Sequence, residues 1–379
     1  MSEFIQLHIL ASYPPSNLNR DDLGRPKTAV MGGSQRLRVS SQSLKRAWRE
    51  SDIFTEALSG HIGIRTKEMG VYVYNALTTG CSLVDTIKND AEINEKFPPV
   101  SESKAKKYAQ EIAGVFGKVK TTKKSKDEEA GETENEPFGD LKLEQLAHFS
   151  QEEINLIDSL LEKLANSDNA PTKDDLLLLR KQHTAVDIAM FGRMLASSPM
   201  HNTEAAVQVS HAITVHKVAV EDDYFTAVDD LNNGEDNAGA AHIGELEFAS
   251  GLFYNYVCIN RTLLADNLVG DKELVNKTLQ ALVEAAAKVA PTGKQNSFAS
   301  RAYASYIMAE KGTQQPRSLS VAFLKALNGK DLLDESISAL KDTNEKMESV
   351  YGKCSESICE MNAHTGEGTL SKVFDFVKA

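Results

Sequence analysis

Cysteine is scarce: Cys81, Cys258, Cys354 and Cys359 are the only four in 379 residues, too few and too scattered to staple a chain of this size with disulfides. A reducing, cytoplasmic setting is therefore expected. Long apolar runs are missing as well. No stretch approaches membrane-spanning length, and the N-terminal MSEFIQLHILASY carries Glu3 and alternates in polarity instead of following a basic start with a continuous apolar run, so neither a membrane span nor a signal peptide is expected. Catalytic signatures are thin too. The APTGKQN run at 290–296 lacks the first glycine and the hydroxyl of a nucleotide-binding P-loop, while Cys354, Cys359 and His364 fall outside the common zinc spacings and have no fourth ligand nearby. No cofactor and no metal are expected.

The chain does have a strongly uneven charge distribution. Its formal net charge is -12 and its pI is near 5.3, which argues against nucleic-acid binding over the whole surface. Yet Asn19 to Trp48 sets Arg20, Arg25, Lys27, Arg36, Arg38, Lys45 and Arg46 against only Asp21 and Asp22. A local field of that sign suits a polyanion. The stretch reads as a long glycine-rich basic loop running into a helix from about Ser41 to Glu50. Ser40 or Ser41 is the N-cap, Gln42 lies in the first turn, and Lys45 and Arg49 share one face at i and i+4. Outward-facing N–H groups at the positive end of the helix dipole would hold a phosphate there.

In order along the chain, FIQLHIL at 4–10 alternates as a strand that Pro14 and Pro15 should end. From about 83 to 165 the pattern is mainly helical, interrupted by a charged insert at 118–140 with the composition of a mobile loop. Residues 172–182, TKDDLLLLRKQ, read as a helix capped by Thr172. A partly apolar ribbon around 206–220 leads to Tyr224, Phe225 and Thr226 and then to the acidic glycine-rich loop 231–244, which together suggest a projecting hairpin. Residues 246–260 read as buried strand with a bend at Gly251, Tyr254 and Tyr256 serving as packing. Residues 271–289 form a helix, Lys294 sits on a loop before a strand or short helix, and helices near 319–327 and 336–349 should cover a sheet.

Several of these strings resemble one family. LNRDD, the paired glycines before a basic run and RVSSQSLKRA at 38–47 are similar to the backbone subunit of the type I-E CRISPR surveillance complex, the CasC family of Cascade within the RAMP superfamily. AVDIAMFGRM at 185–194, SHAITVHKV at 210–218 and DYFTAVDDL at 223–231 match it in the same order, while residues 55–170 diverge.

The resemblance implies an α+β fold: an RRM-like (ferredoxin-like) palm at 1–54, 186–202 and 246–379, an inserted helical finger domain at 55–185, and a β-hairpin thumb at 203–245. It implies a non-catalytic scaffold that binds crRNA, stacks head to tail with further copies and presents the guide for pairing with target DNA. Large, small, guide-end-capping and guide-processing subunits would be its other partners. Lys27, Ser40, Gln42, Lys45 and Arg49 would hold the RNA backbone, Lys294 would add a phosphate contact, and Phe225, Thr226 and Met194 would surround a kinked nucleotide. Arg20, Arg38 and Arg46 complete the expected RNA-binding set. The alternative is a metal-independent endoribonuclease of the same superfamily. For that chemistry His8, His216, Asp21 and Asp22 are the candidates, none of them in a signature spacing.

Overall fold

The computed structural model describes residues 2–89, 95–120, 138–167, 169–227 and 242–379. The charged insert at 118–140 and the acidic loop at 231–244 lie largely outside these residues. The strands, in chain order, are β1 (Phe4–Ser16), β2 (Thr28–Met31), β3 (Ser34–Val39), β4 (Ile64–Thr66), β5 (Ala147–Phe149), β6 (Val207–Val209), β7 (Ala212–Thr214), β8 (Glu221–Ala227), β9 (His242–Asn260), β10 (Ala304–Gly312) and β11 (Ser357–Asn362). Two compact units form: Met1–Leu58 with Val207–Leu263 and Lys272–Ala379, and Ser59–Ala206 with Leu264–Asp271.

The first unit is built on a nine-stranded antiparallel sheet ordered β11-β10-β1-β9-β7-β3-β2, with β6 and β8 also pairing to β9. β1 lies in its middle because Ile5, Leu7 and Ile9 fill one face while Gln6, His8 and Leu10 fill the other, all of them buried. Pro14 and Pro15 do not end the strand, contrary to the sequence reading. Pairing with β10 stops at Ala11↔Ala304 and the register with β9 shifts between Tyr13 and Ser16, so the two prolines occupy positions where the ladder asks for no N–H.

Helices Lys272–Lys288 and Leu370–Lys378 pack together and against β10. The opposite face is closed by helix Leu332–Tyr351 and the turn Ser320–Phe323, around Leu10, Tyr254, Tyr306, Met308 and Leu340. The helix expected at 319–327 shrinks to that single 3-10 turn. Leu319 N–H donates to Tyr254 Oη (3.1 Å) and Leu327 N–H to the Val215 carbonyl (3.0 Å), which draws the segment down onto the sheet. β8 is exposed along its whole length and pairs with the start of β9, from Glu221↔Phe248 to Ala227↔His242.

The second unit has its own core, in which Val73, Leu77, Ala109, Ile112 and Leu161 bring together helices Met69–Thr79, Glu102–Phe116 and Gln151–Ser167. Gly70 allows that approach, since a Cβ there would lie 3.2 Å from the Ala113 Cβ of helix Glu102–Phe116, and 2.2 Å from the Leu141 carbonyl oxygen of the turn Gly139–Leu141. Residues 172–182 are not helical. Arg180 N–H donates to Glu153 Oε1 (2.9 Å) and the Arg180 carbonyl accepts from Arg193 Nη2 (2.9 Å), so this backbone is consumed by a buried ion pair, Arg193 to Glu153 at 2.7 Å, instead of by helical bonds. Residues 186–202, expected in the palm, group with this unit. Buried Asp187 ties them in by accepting from Gly63 N–H and pairing with His148 Nε2, each at 2.8 Å.

Candidate nucleic-acid interface

The basic stretch is a hairpin and a helix, not a long loop. Gly32 (φ +57°) and Gly33 (φ +74°) supply the two left-handed residues of a tight turn, and β2 pairs with β3 from Thr28↔Leu37 to Met31↔Ser34. A Cβ on Gly32 would lie 1.6 Å from the Leu324 carbonyl oxygen, so the turn is seated on the backbone following Ser320–Phe323. The preceding LNRDD loop is held by its own side chains. Asn19 accepts Ser40 N–H on Oδ1 (2.9 Å) and Lys27 N–H on its carbonyl (2.8 Å), and Asp21 Oδ1 accepts from Leu23 and Arg25 N–H (3.0 and 2.9 Å).

Not all the cations of this stretch face solvent. Arg36 is fully buried, donating to the Thr214 carbonyl (2.7 Å) and the Phe323 carbonyl (2.9 Å), and burial lowers its pKa. Arg25 pairs with Glu247 (3.1 Å), while Arg46 and Arg49 both pair with Glu50 (2.9 and 3.3 Å). Another basic group surrounds His211, an exposed residue between β6 and β7: Arg38 approaches its ring, the Lys27 carbonyl accepts Arg38 N–H (2.8 Å), and Lys45 lies one helical turn beyond Ser41, whose N–H bonds that ring. Burial first, then the fields of Arg38, Lys45 and Lys27 in that order, lower the His211 pKa.

Helix Ser41–Arg49 begins at Ser40, whose Oγ accepts Ser43 N–H at 3.3 Å, with Leu44, Ala47 and Trp48 on its buried side. Ser41 N–H donates to His211 Nδ1 at 3.1 Å, and Arg38 Nη1 approaches the same nitrogen at 3.5 Å. His211 is thus a neutral acceptor at Nδ1 and carries its proton on Nε2. Two of the N–H groups expected to face a phosphate, those of Ser41 and Ser43, are satisfied inside the protein. Gln42 remains exposed at the first turn. No spacing announces His211; the pairings Arg38↔Ile213 and Val39↔Ala212 bring it to the helix start.

Beside the helix, an open cleft of about 750 Å³ is lined by Arg20, Asp21, Asp22, Gln42, Arg46 and Glu50 together with Thr292 and Gly293. It mixes both signs of charge. A Cβ on Gly293 would lie 2.2 Å from the Leu18 carbonyl oxygen, so the 291–294 loop is packed on LNRDD and sets Lys294, in the left-handed conformation (φ +52°), next to the cleft wall.

On the exposed hairpin, Phe225 is directly across from Gly244, and a Cβ at 244 would meet its ring at 2.5 Å. The ring therefore lies over the opposite strand, 43% of it still accessible, and Thr226 follows it, also exposed. Met194 is exposed as well, but it belongs to the second unit whereas Phe225 and Thr226 belong to the first.

The histidines considered for cleavage are engaged. His8 is fully buried, its Nδ1 2.8 Å from Tyr254 Oη and its Nε2 2.9 Å from Glu310 Oε2, and burial lowers its pKa. Burial would raise the Glu310 pKa, but hydrogen bonds from His8 and Arg317 outweigh it and hold it at about 2. His216 donates Nδ1–H to the Lys217 carbonyl (2.8 Å) and accepts Leu252 N–H at Nε2 (3.2 Å). Among the described residues no group of His, Cys, Asp and Glu is arranged to hold a metal ion, and no helix is long and apolar enough to cross a membrane.

A chain from a solved "CRISPR RNA-guided surveillance complex, pre-nicking" is similar to this one at 26% identity and a TM-score of 0.76, covering 99% of both chains. A second, from a "CRISPR RNA-guided surveillance complex", shares the fold at 22% identity and a TM-score of 0.56, covering 99% of this chain and 98% of its own. No curated protein matches the chain. The family model for CT1975-like proteins spans residues 5–374, from the first strand into the last helix, and the chain belongs to that family.

Proposed function

We propose that this protein is a non-catalytic, crRNA-binding backbone subunit of a type I-E Cascade surveillance complex. The observation that carries the proposal is the likeness, over 99% of both chains, to a chain of a solved RNA-guided surveillance complex. The positive cluster of Lys27, Arg38 and Lys45 supports RNA as the ligand in a chain of net charge -12. In this reading the antiparallel sheet is an RRM-like palm, the helical segment a finger domain, and the β8–β9 hairpin a thumb.

Copies stack head to tail along the guide, a contact that does not close and so generates a helical filament. Lys27, Arg38, Lys45 and Lys294, with the hydroxyls and amides near Ser40 and Gln42, hold phosphates without regard to sequence. Phe225 and Thr226 on the thumb press on a nucleotide at intervals, and the segments between them are displayed for pairing with target DNA. Sequence is read by base pairing while the protein supplies charge and shape. Large, small, end-capping and guide-processing subunits complete the cytoplasmic particle. Burial of His8 in a closed hydrogen-bond chain favours binding over RNA cleavage.

The test is size-exclusion and gel-shift analysis of the full chain with guide-length RNA, the RNA then being run on a denaturing gel. Cooperative, salt-sensitive assembly on intact RNA is expected. Shortened RNA would replace the scaffold with a nuclease.

A further inference from the structure

The first unit holds a further cavity beside His211. It is lined by Met31, His211, Ile213, Thr214, Tyr254 and Phe323 together with Ser210, Ser318 and Ser320, and its volume is about 200 Å³. We propose that it receives a single unstacked nucleobase of the bound RNA, whose adjoining phosphate is held by Lys27, Arg38 and Lys45. This rests on the RNA-binding reading and adds a base site on the palm itself, separate from the thumb.

Size is the first argument. Pockets for drug-sized ligands run from roughly 300 Å³ upward, so this one takes a fragment, on the scale of one flat heterocycle. Its walls are the second. The Met31 thioether, the Ile213 side chain and the small exposed part of the Tyr254 and Phe323 rings (centroids 5.2 Å apart) offer polarizable apolar surface against which a base can pack.

The third argument is placement. His211 lines this cavity and also meets Arg38 Nη1 (3.5 Å) and the Ser41 N–H (3.1 Å) at the start of the basic helix, so the apolar slot and the basic segment share one residue.

The cavity is also held open in advance. Arg36 bridges the Thr214 and Phe323 carbonyls, fixing the strand on one side and the turn on the other. Three of its hydroxyls already have protein partners: Ser210 Oγ accepts Tyr256 N–H (3.0 Å), Thr214 Oγ1 accepts Leu37 N–H and donates to the His216 carbonyl (both 3.1 Å), and Ser318 Oγ accepts Ser320 N–H (3.2 Å). Tyr254 Oη accepts Leu319 N–H and bonds His8. The groups left to meet a base edge are chiefly His211 Nε2–H and the Ser320 hydroxyl, so apolar contact dominates and the site tolerates different bases, as a scaffold for arbitrary guides requires.

The experiment compares binding of the full chain to guide-length single-stranded RNA and to the same RNA made abasic, phosphates intact. Wild-type protein should bind the abasic strand about tenfold more weakly. Met31→Trp, and independently Ile213→Phe, each made in a Phe225→Ala background that removes the thumb's own contact with a base, fill the cavity and should bind both strands equally, with an unchanged salt dependence. Equal binding of both strands by wild type, or the discrimination of Phe225→Ala retained in both filled variants, overturns the base site and leaves the RNA-binding reading standing. Loss of self-association in the filled variants with discrimination intact would assign the cavity to a neighbouring protein chain, again overturning it. No binding of either strand by wild type would remove both the inference and the reading beneath it.

Discussion

Replacing Lys27, Arg38 and Lys45 together with alanine tests the charge argument at its centre. For single strands each neutralised phosphate contributes about 0.7 to the slope of log K against log salt, so losing three contacts lowers the slope by about 2 for each bound copy. Between 50 and 200 mM salt, a fourfold change, that slope corresponds to about 16-fold in affinity. Anisotropy titrations with labelled RNA over that range measure it directly. Arg46→Ala, by contrast, should move the slope by clearly less than one contact's worth, because Glu50 already faces its guanidinium at 2.9 Å. A second readout needs no RNA. The fields of Arg38, Lys45 and Lys27 help lower the His211 pKa, so the triple variant should raise it toward the ordinary histidine value when titrated by NMR. An unchanged salt slope would refute the assignment of these cations to RNA. An unchanged His211 titration would refute their action on that ring.

Arg193→Met leaves Glu153 charged in a site where neither partner is more than 1% exposed, and should cost about 3–5 kcal/mol in urea unfolding. Gly33→Ala, with open space around a Cβ but φ +74°, should cost about 1–2 kcal/mol, while Gly32→Ala, facing the Leu324 carbonyl oxygen at 1.6 Å, should cost more; equal losses would contradict the seated turn. The lowered His8 pKa makes the unfolded state bind more protons. Stability is therefore full above the ordinary histidine value of about 6.5 and falls as pH drops through the lowered native value, and His8→Gln should flatten that acid limb in urea midpoints taken at successive pH.

Elements whose pattern is set locally were legible in the sequence. The first strand's alternation, the serine cap before Gln42, the helix over 271–289 and the buried strand at 246–260 each follow from neighbours in the chain. What failed depended on distant partners. TKDDLLLLRKQ has every local mark of a helix, yet Arg180 is committed at both its amide and its carbonyl to Glu153 and Arg193, and the cap signal at Thr172 is spent on a turn closed by Asp175. Arg36 counted as surface charge because nothing beside it shows that two carbonyls, 178 and 287 residues further on, surround it. The amides at the start of helix Ser41–Arg49, read from the sequence as open to a phosphate, are partly committed within the protein. Ser41 N–H goes to a histidine that only the β3–β7 pairing delivers.

β9 runs 19 residues without interruption, and its two halves live under different constraints. From Ala249 onward it is flanked by β1 on one side and by β6 and β7 on the other, whereas its start pairs with β8. At about 3.3 Å per residue the free portion is a beam of roughly 20 Å clamped at one end. Asn17, donating to the Glu247 carbonyl, and Arg25, paired with the Glu247 side chain, brace it at the clamp. The brace sits just where the β1–β9 register shifts, opposite Gly251 and Ala249, so the root of the hairpin is held by side chains at the point where the backbone ladder is irregular.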